Sequence, residues 1–280
     1  MTGRPSFLCG LIGAGIQGSR SPALHEEEAG RLGLRYVYRR IDLDELKVGV
    51  EALPELLGDA ERIGFAGLNI TYPCKQVIMP LLHELSPEAK AVGAVNTVLL
   101  RNGRRIGHNT DLAGYAAGFR RALPDARLDR VVQLGAGGAG AAVAHAVLGL
   151  GAKRLTIFDI DAARAAQLSA RLGERTTPGT DLEAAMASAD GLIHCTPTGM
   201  KKLPGLPLPA HLIRPSHWVS EIVYFPLETE LLRVARGKGC RTADGGGMVV
   251  FQAAAAFKLF TGVEPDAERM LRHFSMMKTQ

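Results

Sequence analysis

The chain has 280 residues, of which 46% are hydrophobic and 22% charged, values typical of a globular protein with one large or two medium domains. The net charge of +5 is not concentrated in any block of five basic residues. This distribution argues against a nucleic-acid surface and suits a small anionic ligand. No apolar run reaches the roughly 18–20 residues of a membrane span, and no secretory signal is recognisable, so we expect a cytoplasmic protein without membrane contact.

The first half of the chain alternates short apolar runs with helix-forming stretches, which predicts an α/β domain. Asn102 and Gly103 predict a hairpin turn between the last two strands. The predicted strands are residues 7–12, 35–41, 64–70, 95–100 and 104–108, and the predicted helices are residues 22–32, 44–57, 75–82 and a short one from residue 87.

A glycine motif follows the first strand, but its context argues against a dinucleotide site. Residues 13–18, GAGIQG, match G-x-G-x-x-G. In a true fingerprint the helix begins inside the motif, so that the last glycine packs against the strand. Here Ser21 and Pro22 predict a helix that begins at Pro22 with Ser21 as its N-cap. This places the hydroxyls of Ser19 and Ser21 at the mouth of a loop.

Polar residues gather where the strand at residues 64–70 ends. Pro73 cannot donate to a sheet, and Thr71 and Lys75 lie beside it. Strand ends are where open α/β sheets carry ligand groups. A lone lysine is more often a solvated surface residue, but the later Asn96 and the run NTD at residues 109–111 favour a functional Lys75.

The second half of the chain carries a complete dinucleotide fingerprint. The strand at residues 130–134 runs into GAGGAG at residues 135–140, and a helix begins inside these glycines and extends to residue 150. The next strand, residues 154–158, ends at Asp159, 19 residues after Gly140, where an acid meets the adenosine ribose. The predicted cofactor-binding residues are Gly135, Ala136, Gly137, Gly138, Ala139, Asp159, Arg164, Thr196, Gly245 and Met248.

The remaining elements continue the alternation. The helix at residues 112–122 is interpreted as a connector between two domains. Gln252 lies inside a very apolar helix, where a buried amide either satisfies a structural hydrogen bond or orients a polyhydroxylated ligand. The other predicted helices are residues 161–172, 182–188, 228–238 and 248–260, the strands are residues 191–194 and 218–222, and residues 201–215 form a loop.

Six motifs, in this order, resemble the shikimate dehydrogenase family along nearly the whole chain. They are SRSPALH at residues 19–25, GLNITYPCK at 67–75, GAVNT at 93–97, GHNTD at 107–111, GAGGA at 135–139 and Gln252. The resemblance implies an α/β protein of two domains with an active-site cleft between them: an N-terminal, open, mostly parallel α/β substrate domain and a Rossmann dinucleotide-binding domain. We place the substrate domain at residues 1–111, completed by helices within 247–280, and the Rossmann domain at 112–246.

The same resemblance implies roles for individual residues. Lys75 and Asp111 are the implied catalytic pair, which exchanges the proton of a ring hydroxyl while a hydride moves to or from the cofactor. The implied substrate-binding residues are Ser19, Ser21, Thr71, Asn96, Gln252 and Tyr224. The expected partner is a small cyclic hydroxy-carboxylate such as shikimate or quinate, bound by a monomer or homodimer.

The cofactor is predicted to be NAD in preference to NADP. NADP-dependent members of the family carry N-R-T or N-R-S where this chain has Asp159, Ile160 and Asp161. The arginine that would hold a 2′-phosphate is absent, and two carboxylates would repel a phosphate. The chain therefore resembles the quinate/shikimate dehydrogenase branch that prefers NAD.

Three alternatives stay open at this stage. An NADP-dependent biosynthetic shikimate dehydrogenase and an aminoshikimate-type dehydrogenase would use the same site. A metabolite-sensing regulator on this fold would bind without turnover, and the retained Lys75, Asp111 and glycine loop argue against it. The four cysteines are scattered without a Cys-x-x-Cys pair, so we expect neither a disulfide framework nor a metal site.

Overall fold

A computed structural model describes residues 4–277 as two compact units. One unit contains the described residues up to Thr110 and from Gln252 onward, and the other contains Asp111–Phe251. The domain bounds given above stay a prediction, and their outermost residues, 1–3 and 278–280, lie outside the described part.

The elements alternate along the chain in the manner of α/β proteins. The strands are β1 (Ser6–Gly13), β2 (Arg35–Asp42), β3 (Gly67–Ile70), β4 (Glu84–Leu85), β5 (Thr97–Arg101), β6 (Arg104–His108), β7 (Arg130–Leu134), β8 (Arg154–Phe158), β9 (Thr176–Pro178), β10 (Gly191–His194), β11 (Trp218–Glu221) and β12 (Arg241–Ala243). The α-helices are α1 (Ser21–Arg31), α2 (Leu43–Leu46), α3 (Leu53–Ile63), α4 (Cys74–Val77), α5 (Pro87–Val92), α6 (Thr110–Ala122), α7 (Gly138–Gly149), α8 (Ala162–Leu172), α9 (Leu182–Ser188), α10 (Glu230–Gly237), α11 (Gly245–Thr261) and α12 (Ala267–Met276).

The sheet of the first unit has the strand order β2-β1-β3-β5-β6-β4. Only β5 runs against the others, because the hairpin that joins it to β6 reverses the chain. At its turn Asn102 and Gly103 adopt φ angles of 53° and 71°, so the predicted hairpin is confirmed. The carboxyl ends of β1 and β3 lie side by side, where the Thr71 N–H donates to the Ile12 carbonyl at 2.9 Å.

Two predicted helices of this unit are wrong in their bounds. The helix expected at residues 44–57 is divided, because Lys47 adopts a left-handed φ of 56° and a 3₁₀ turn, Val50–Ala52, precedes α3. The helix expected at residues 75–82 is reduced to α4 and a 3₁₀ turn, Met79–Leu81. Pro80 in that turn has no N–H for a continuing helix.

The sheet of the second unit is entirely parallel, with the order β12-β11-β10-β7-β8-β9. Its core packs Val132, Leu192, Val219 and Leu231, all nearly inaccessible to solvent. This Rossmann-type arrangement and the mostly parallel sheet of the first unit confirm the predicted α/β fold class. The short strands β4, β9 and β12 were not predicted, because two or three residues carry no readable periodicity.

Two further features concern the whole described chain. Within residues 4–277, no helix has the length and apolar character that a membrane span requires. The four cysteines, Cys9, Cys74, Cys195 and Cys240, are all buried free thiols.

Candidate active site

The GAGIQG loop after β1 directs its backbone N–H groups at a carboxylate of the protein itself. Gly15 N and Ile16 N each donate to Asp42 at 2.9 Å, and the Gln17 side chain donates at 3.0 Å. Burial by itself would raise the pKa of Asp42, but the bonds from Gln17 and from backbone N–H groups lower it below its usual value. These N–H groups are therefore committed to Asp42, in agreement with the interpretation that this loop binds no dinucleotide.

The two serines that follow lie at the start of α1. The predicted start at Pro22 and the predicted Ser21 N-cap are wrong: α1 begins at Ser21, and its N-cap, Arg20, makes no side-chain capping bond. Ser19 supplies the local bond instead, because its hydroxyl accepts from Ser21 N at 3.3 Å. The Ser19 hydroxyl also lies 3.3 Å from the Ser21 hydroxyl, and the Arg20 guanidinium stacks on Phe274 of α12. The loop is thus restrained by the hydrogen bond between Ser19 and Ser21 and by the contact of Arg20 with α12.

Thr71 and Lys75 occupy the connection from β3 to α4. Thr71 carbonyl oxygen accepts from Cys74 N at 2.8 Å, and the buried Cys74 side chain fixes the turn to the core. The Lys75 carbonyl oxygen accepts from Val95 N at 2.8 Å. The half-buried lysine is therefore positioned beside the segment that carries Asn96.

Asn96 and Gln252 belong to one hydrogen-bonded cluster in the first unit. Asn96 Oδ1 accepts from Thr110 N at 2.8 Å, and its Nδ2 donates to Thr110 Oγ1 at 2.9 Å. Thr110 Oγ1 in turn lies 3.5 Å from Gln252 Oε1. Residues 156 positions apart in sequence are thus joined through one threonine. Thr110 and the buried Asn69 were missed as site residues, although both lie within motifs that were recognised.

Asp111 and Tyr224 belong to the second unit. Asp111 lies in the first turn of α6 and is only 6% exposed. A carboxylate there interacts favourably with the N-terminal end of the helix dipole. Tyr224 follows β11 and is 38% exposed.

In the loop between β7 and α7, the glycines leave the backbone uncovered by side chains. Gly135 has a φ of +103°, and a Cβ there would lie 2.6 Å from the Cys195 carbonyl oxygen. A Cβ on Gly137 or Gly138 would meet no described protein atom within 4 Å. Backbone N–H groups at the start of α7 are therefore accessible to a bound pyrophosphate, which a helix N-terminus favours.

Gln133 of β7 forms hydrogen bonds with the backbone at both ends of this loop. It was not predicted as a site residue. Its fully buried Nε2 donates to Gly135 O at 2.8 Å and to Gly140 O at 2.9 Å. The only sequence feature that indicated a role for Gln133 was its position inside the apolar strand β7. A polar residue in such a strand is equally typical of an ordinary buried amide in the core.

Asp159 directly follows β8, and each of its two carboxylate oxygens accepts a hydrogen bond from a backbone N–H. Its Oδ2 accepts from Ala136 N at 2.7 Å, and its Oδ1 accepts from Asp161 N at 2.9 Å. Asp161 caps α8 through Ala163 N and forms an ion pair with Arg164 at 3.3 Å. The guanidinium of Arg164 is thus partly neutralised, while the side chain of Ile160 is fully exposed.

Thr196 is held by a buried network at the ends of β10 and β11. His194 contacts the Thr196 hydroxyl through Nε2 and Glu221 Oε1 through Nδ1, the latter at 2.9 Å. Glu221 also accepts from Val223 N at 2.9 Å and from the Thr229 hydroxyl at 3.1 Å. His194 and Glu221 were not predicted, since the contact joins two strand ends 27 residues apart.

The last two predicted cofactor-binding residues lie on α11. Gly245 begins this helix, and a Cβ there would lie 2.5 Å from the carbonyl oxygens of Ile222 and Val223. Met248 is half-buried in the first turn that follows.

A parallel nucleotide-binding sheet with its glycine loop and acid, combined with a second α/β unit rich in polar residues at strand ends, defines an NAD(P)-dependent oxidoreductase. Family models agree: residues 11–98 match the shikimate dehydrogenase substrate binding domain, and residues 245–273 match the shikimate 5′-dehydrogenase C-terminal domain. A shikimate dehydrogenase (NADP(+)) of Streptomyces avermitilis is 59% identical over 273 residues, 95% of this chain and 94% of the relative.

Two further relatives carry another name. A quinate/shikimate dehydrogenase (NAD(+)) of Corynebacterium efficiens is 47% identical over 96% of this chain and 98% of the relative. The structure of quinate dehydrogenase from Corynebacterium glutamicum in complex with NAD superposes with a TM-score of 0.92 at 44% identity, covering 98% of this chain and all of the other. The chain belongs to the shikimate dehydrogenase family, which confirms the resemblance inferred from its six motifs. The roles of individual residues stay predictions.

Proposed function

We propose that this protein transfers a hydride between NAD(H) and a ring hydroxyl of shikimate or quinate, with the corresponding 3-dehydro compounds as ketones. The observation that carries the cofactor assignment is the Asp159 carboxylate, which accepts from the Ala136 N–H of the glycine loop and from the N–H of Asp161. This carboxylate is oriented to accept from ribose hydroxyls and would repel a 2′-phosphate.

The residues around the glycine loop fit a dinucleotide. Backbone N–H groups near Gly137 and Gly138 would bind the pyrophosphate, and Asp159 would bind the adenosine ribose. Thr196, Gly245 and Met248 would line the remainder of the site. When bound, the nicotinamide supplies the hydride acceptor or donor.

The protein would recognise the substrate through the substrate's carboxylate and ring hydroxyls. We assign the carboxylate to the serine loop, Ser19 and Ser21, and the ring hydroxyls to Thr71, Asn96 and Gln252. Tyr224 is assigned as a further residue of the substrate site. Hydrogen-bonding sites of buried groups reject analogues that lack the matching polar atom by large factors. This supports selectivity for cyclic polyols that carry a carboxylate.

Lys75 and Asp111 are proposed as the acid–base pair. As the alcohol is oxidised, Lys75 accepts the proton of the reacting hydroxyl, and in reduction it returns that proton. Asp111 hydrogen-bonds the same hydroxyl and keeps the lysine correctly oriented. A free lysine has a pKa of about 10.4, so an amine acting alone is a weak base at neutral pH. We therefore assign the proton transfer to the pair.

A second candidate is an NADP-dependent shikimate dehydrogenase. The Streptomyces avermitilis relative favours it, because it carries that name at 59% identity, above the 47% of the Corynebacterium efficiens relative named for NAD. The two candidates differ in one measurable quantity, the preference between the two cofactors.

The test is a steady-state panel of shikimate and quinate, each with NAD and with NADP, followed by absorbance of the reduced cofactor. We expect kcat/KM with NAD to exceed that with NADP by at least about 10-fold, which corresponds to about 1.4 kcal/mol. A preference for NADP would establish the second candidate. Absence of turnover in all four combinations would contradict both and favour a binding protein.

A further inference from the structure

Three arginines, termed the arginine row, line one cavity at an edge of the second unit's sheet. Arg130 begins β7 and Arg154 begins β8, and the two are register partners in this parallel pair. Register partners on adjacent strands project from the same face of a sheet. Arg175, which directly precedes β9, lines the same cavity. The row therefore lies where these strands begin, whereas the glycine loop and Asp159 follow the ends of β7 and β8.

The cavity has the size and the polar groups of a small-molecule site. Its volume of about 540 Å³ lies within the roughly 300–1,000 Å³ of such pockets. Thr156 of β8 and Thr177 of β9 are register partners and both line it, Thr156 half-buried and Thr177 exposed. Ala185 and Ser188 of α9 form a further part of the wall. Guanidinium groups and hydroxyls thus face the same space, and both can donate hydrogen bonds to an anion.

The nearby carboxylates do not neutralise the arginine row. Asp129 pairs with Arg127 and with Lys153, each at 2.6 Å. Asp190 Oδ1 lies 3.7 Å from Arg127 Nε, and Asp190 Oδ2 accepts from the backbone N–H of Arg130 at 2.8 Å. Within residues 4–277, no carboxylate forms an ion pair with a guanidinium of the row. The neighbouring carboxylates are thus committed to other groups.

The remaining contacts leave the row with a net positive charge. Arg175 Nη1 donates to the carbonyl oxygens of Leu148 and Ala152, each at 3.1 Å, which positions its guanidinium without neutralising it. Among the described residues that line the cavity, Glu174 is the only acidic one, so three positive charges and one negative charge leave a formal charge of +2. Like charges on adjacent strands repel each other. An occupant with two negative charges would convert this repulsion into an attraction.

We propose that this cavity binds a small polyanion, whose phosphate or carboxylate groups carry at least two negative charges. Arginine binds both kinds of group through two parallel N–H bonds, and a charge-assisted bond of this kind is stronger than a neutral one. The hydroxyls of Thr156 and Thr177 donate to oxygens that the guanidinium groups leave free. The site lies at the opposite edge of the sheet from the proposed dinucleotide site, so it does not depend on the proposed function.

The distribution of charge favours a small molecule over an acidic macromolecule. Carboxylates flank the cavity: Asp129 directly precedes β7, Asp190 directly precedes β10, and Glu174 lies two residues before β9. These groups repel an extended chain or surface of like charge, whereas a compact anion enters between the arginines. The net charge of the protein, +5, adds a weak attraction for such an anion.

The test is isothermal titration calorimetry of the full-length protein with inorganic pyrophosphate and, separately, with citrate. Low ionic strength is required, because salt screens exposed charges. The variant is Arg154→Gln, and the control is Arg101→Gln, which removes the same charge from the exposed end of β5 in the other unit. We expect at least one of the two anions to bind the unmodified protein. Arg154→Gln should raise its Kd at least about 10-fold and Arg101→Gln less than about twofold.

A second titration separates this cavity from the glycine loop, which would also attract pyrophosphate. It is carried out in the presence of NAD at a concentration that saturates the proposed dinucleotide site. Binding at the arginine row should persist with a Kd within about twofold, since the two sites lie at opposite edges of the sheet. Displacement of pyrophosphate by NAD, together with a Kd that Arg154→Gln leaves unchanged, would place the anion at the glycine loop and overturn the proposal.

Urea unfolding supplies a measurement that a merely structural role for Arg154 would not produce. Without an added anion, Arg154→Gln should be at least as stable as the unmodified protein, because it relieves the repulsion within the row. With saturating anion the unmodified protein should gain stability, whereas the variant should gain little. A loss of stability in the variant that is the same with and without anion would assign Arg154 to the fold alone.

The outcomes for this site are independent of those for the proposed function. Absence of binding by both anions, or an increase in Kd for Arg154→Gln no larger than that of Arg101→Gln, would overturn the anion site. Either result leaves the proposed function intact, because turnover of shikimate or quinate depends on residues elsewhere. Conversely, anion binding by a protein that turns over neither compound would contradict the proposed function alone.

Discussion

At the scale of single residues, an aspartate beside a glycine loop has a different role in each of the two units. Asp42 is the last residue of β2 and Asp159 directly follows β8, and both accept backbone N–H bonds from a glycine loop. Asp42 is buried and accepts from two loop N–H groups and from Gln17, whereas Asp159 accepts one loop N–H and stays partly accessible. Accessibility is what distinguishes a carboxylate that closes a loop from one that can meet a ligand.

Lys75 is the residue on which the proposed chemistry depends most directly. Lys75→Ala should lower kcat by about 100-fold or more, because it removes the group that exchanges the alcohol proton, while cofactor binding is preserved. Steady-state kinetics with a parallel titration of the cofactor would measure both quantities. Lys90→Ala, which removes an exposed lysine from α5, is the control. Near-normal turnover of Lys75→Ala would exclude the proposed role.

The cofactor preference should follow three adjacent residues. Replacing Asp159→Asn, Ile160→Arg and Asp161→Ser together should raise the ratio of kcat/KM for NADP over NAD by about 100-fold. The change removes two carboxylates and adds a guanidinium, while a serine at position 161 can still cap α8. Asp161→Ser alone serves as the control and should change the ratio little. An unchanged ratio in the triple variant would show that these residues do not select the cofactor.

His25 should give the protein a measurable dependence of stability on pH. Complete burial lowers its pKa to about 3, so between that pH and its ordinary 6.5 only the unfolded chain binds the proton. The free energy of unfolding should therefore fall as pH decreases through this range, by about 1.4 kcal/mol per pH unit from this residue.

The measurement compares urea unfolding at several pH values between 4 and 6. His25→Gln should show a slope smaller by about one proton than the unmodified protein, and His211→Gln, at an exposed position, should match the unmodified protein. Equal slopes in all three proteins would mean that His25 binds a proton in the folded state.

At the scale of elements, strand ends carry the polar residues and strand interiors position them. The sheet of the second unit places the ends of β7, β8, β10 and β11 along one edge, and there the glycine loop, Asp159, His194 and Glu221 are found. The parallel direction of the strands produces this, since each strand delivers its carboxyl end to the same edge.

Gln133 shows how a strand interior shapes a loop. Gln133→Leu should raise KM for the cofactor by about 10-fold and lower stability by about 1–2 kcal/mol, because two loop carbonyls lose their buried donor. Kinetics and urea unfolding would test both effects, with Gln167→Leu on the exposed face of α8 as control. A loss of stability without any change in KM would mean that the amide supports the core and leaves the loop unaffected.

At the scale of the whole molecule, residues near the two ends of the chain are joined in one unit. Glu28 of α1 is 1% exposed and accepts Arg269 Nε at 2.8 Å, Arg269 Nη2 at 2.6 Å and Asp266 N at 2.7 Å. These bonds fasten α12 to α1. Phe274 of α12 in turn stacks against Arg20, between the two serines of the proposed substrate loop.

Breaking this attachment should loosen the C-terminal helix. Glu28→Gln should lower the free energy of unfolding by about 2–3 kcal/mol, because it leaves the guanidinium without its buried partner. It should also make α12 the first site of limited proteolysis. Glu27→Gln, which removes an exposed pair with Arg31, should cost less than about 1 kcal/mol. Equal effects of the two variants would show that the buried pair is not what holds α12.

Local patterns in the sequence were sufficient for the α/β class, the hairpin at Asn102, the distinction between the two glycine loops and the membership of a dehydrogenase family. Each of these depends on neighbouring residues, since strand ends, glycines and capping groups act over a few positions. The helix divided at Lys47 and the N-cap at Arg20 show the limit of such patterns, because no local signal in the sequence indicated either of them. The break at Pro80 has a local cause, the missing N–H, which the prediction passed over.

The contacts that complete the candidate site were decided by the tertiary structure. Tyr38 meets Asn69, His194 meets Glu221, and Thr110 meets Gln252 only after strands and helices far apart in sequence have packed together. A buried polar group must find a partner, but the sequence does not state which one. The alternation of strands and helices thus determined where polar residues would gather, and the three-dimensional packing determined which of them share a hydrogen bond.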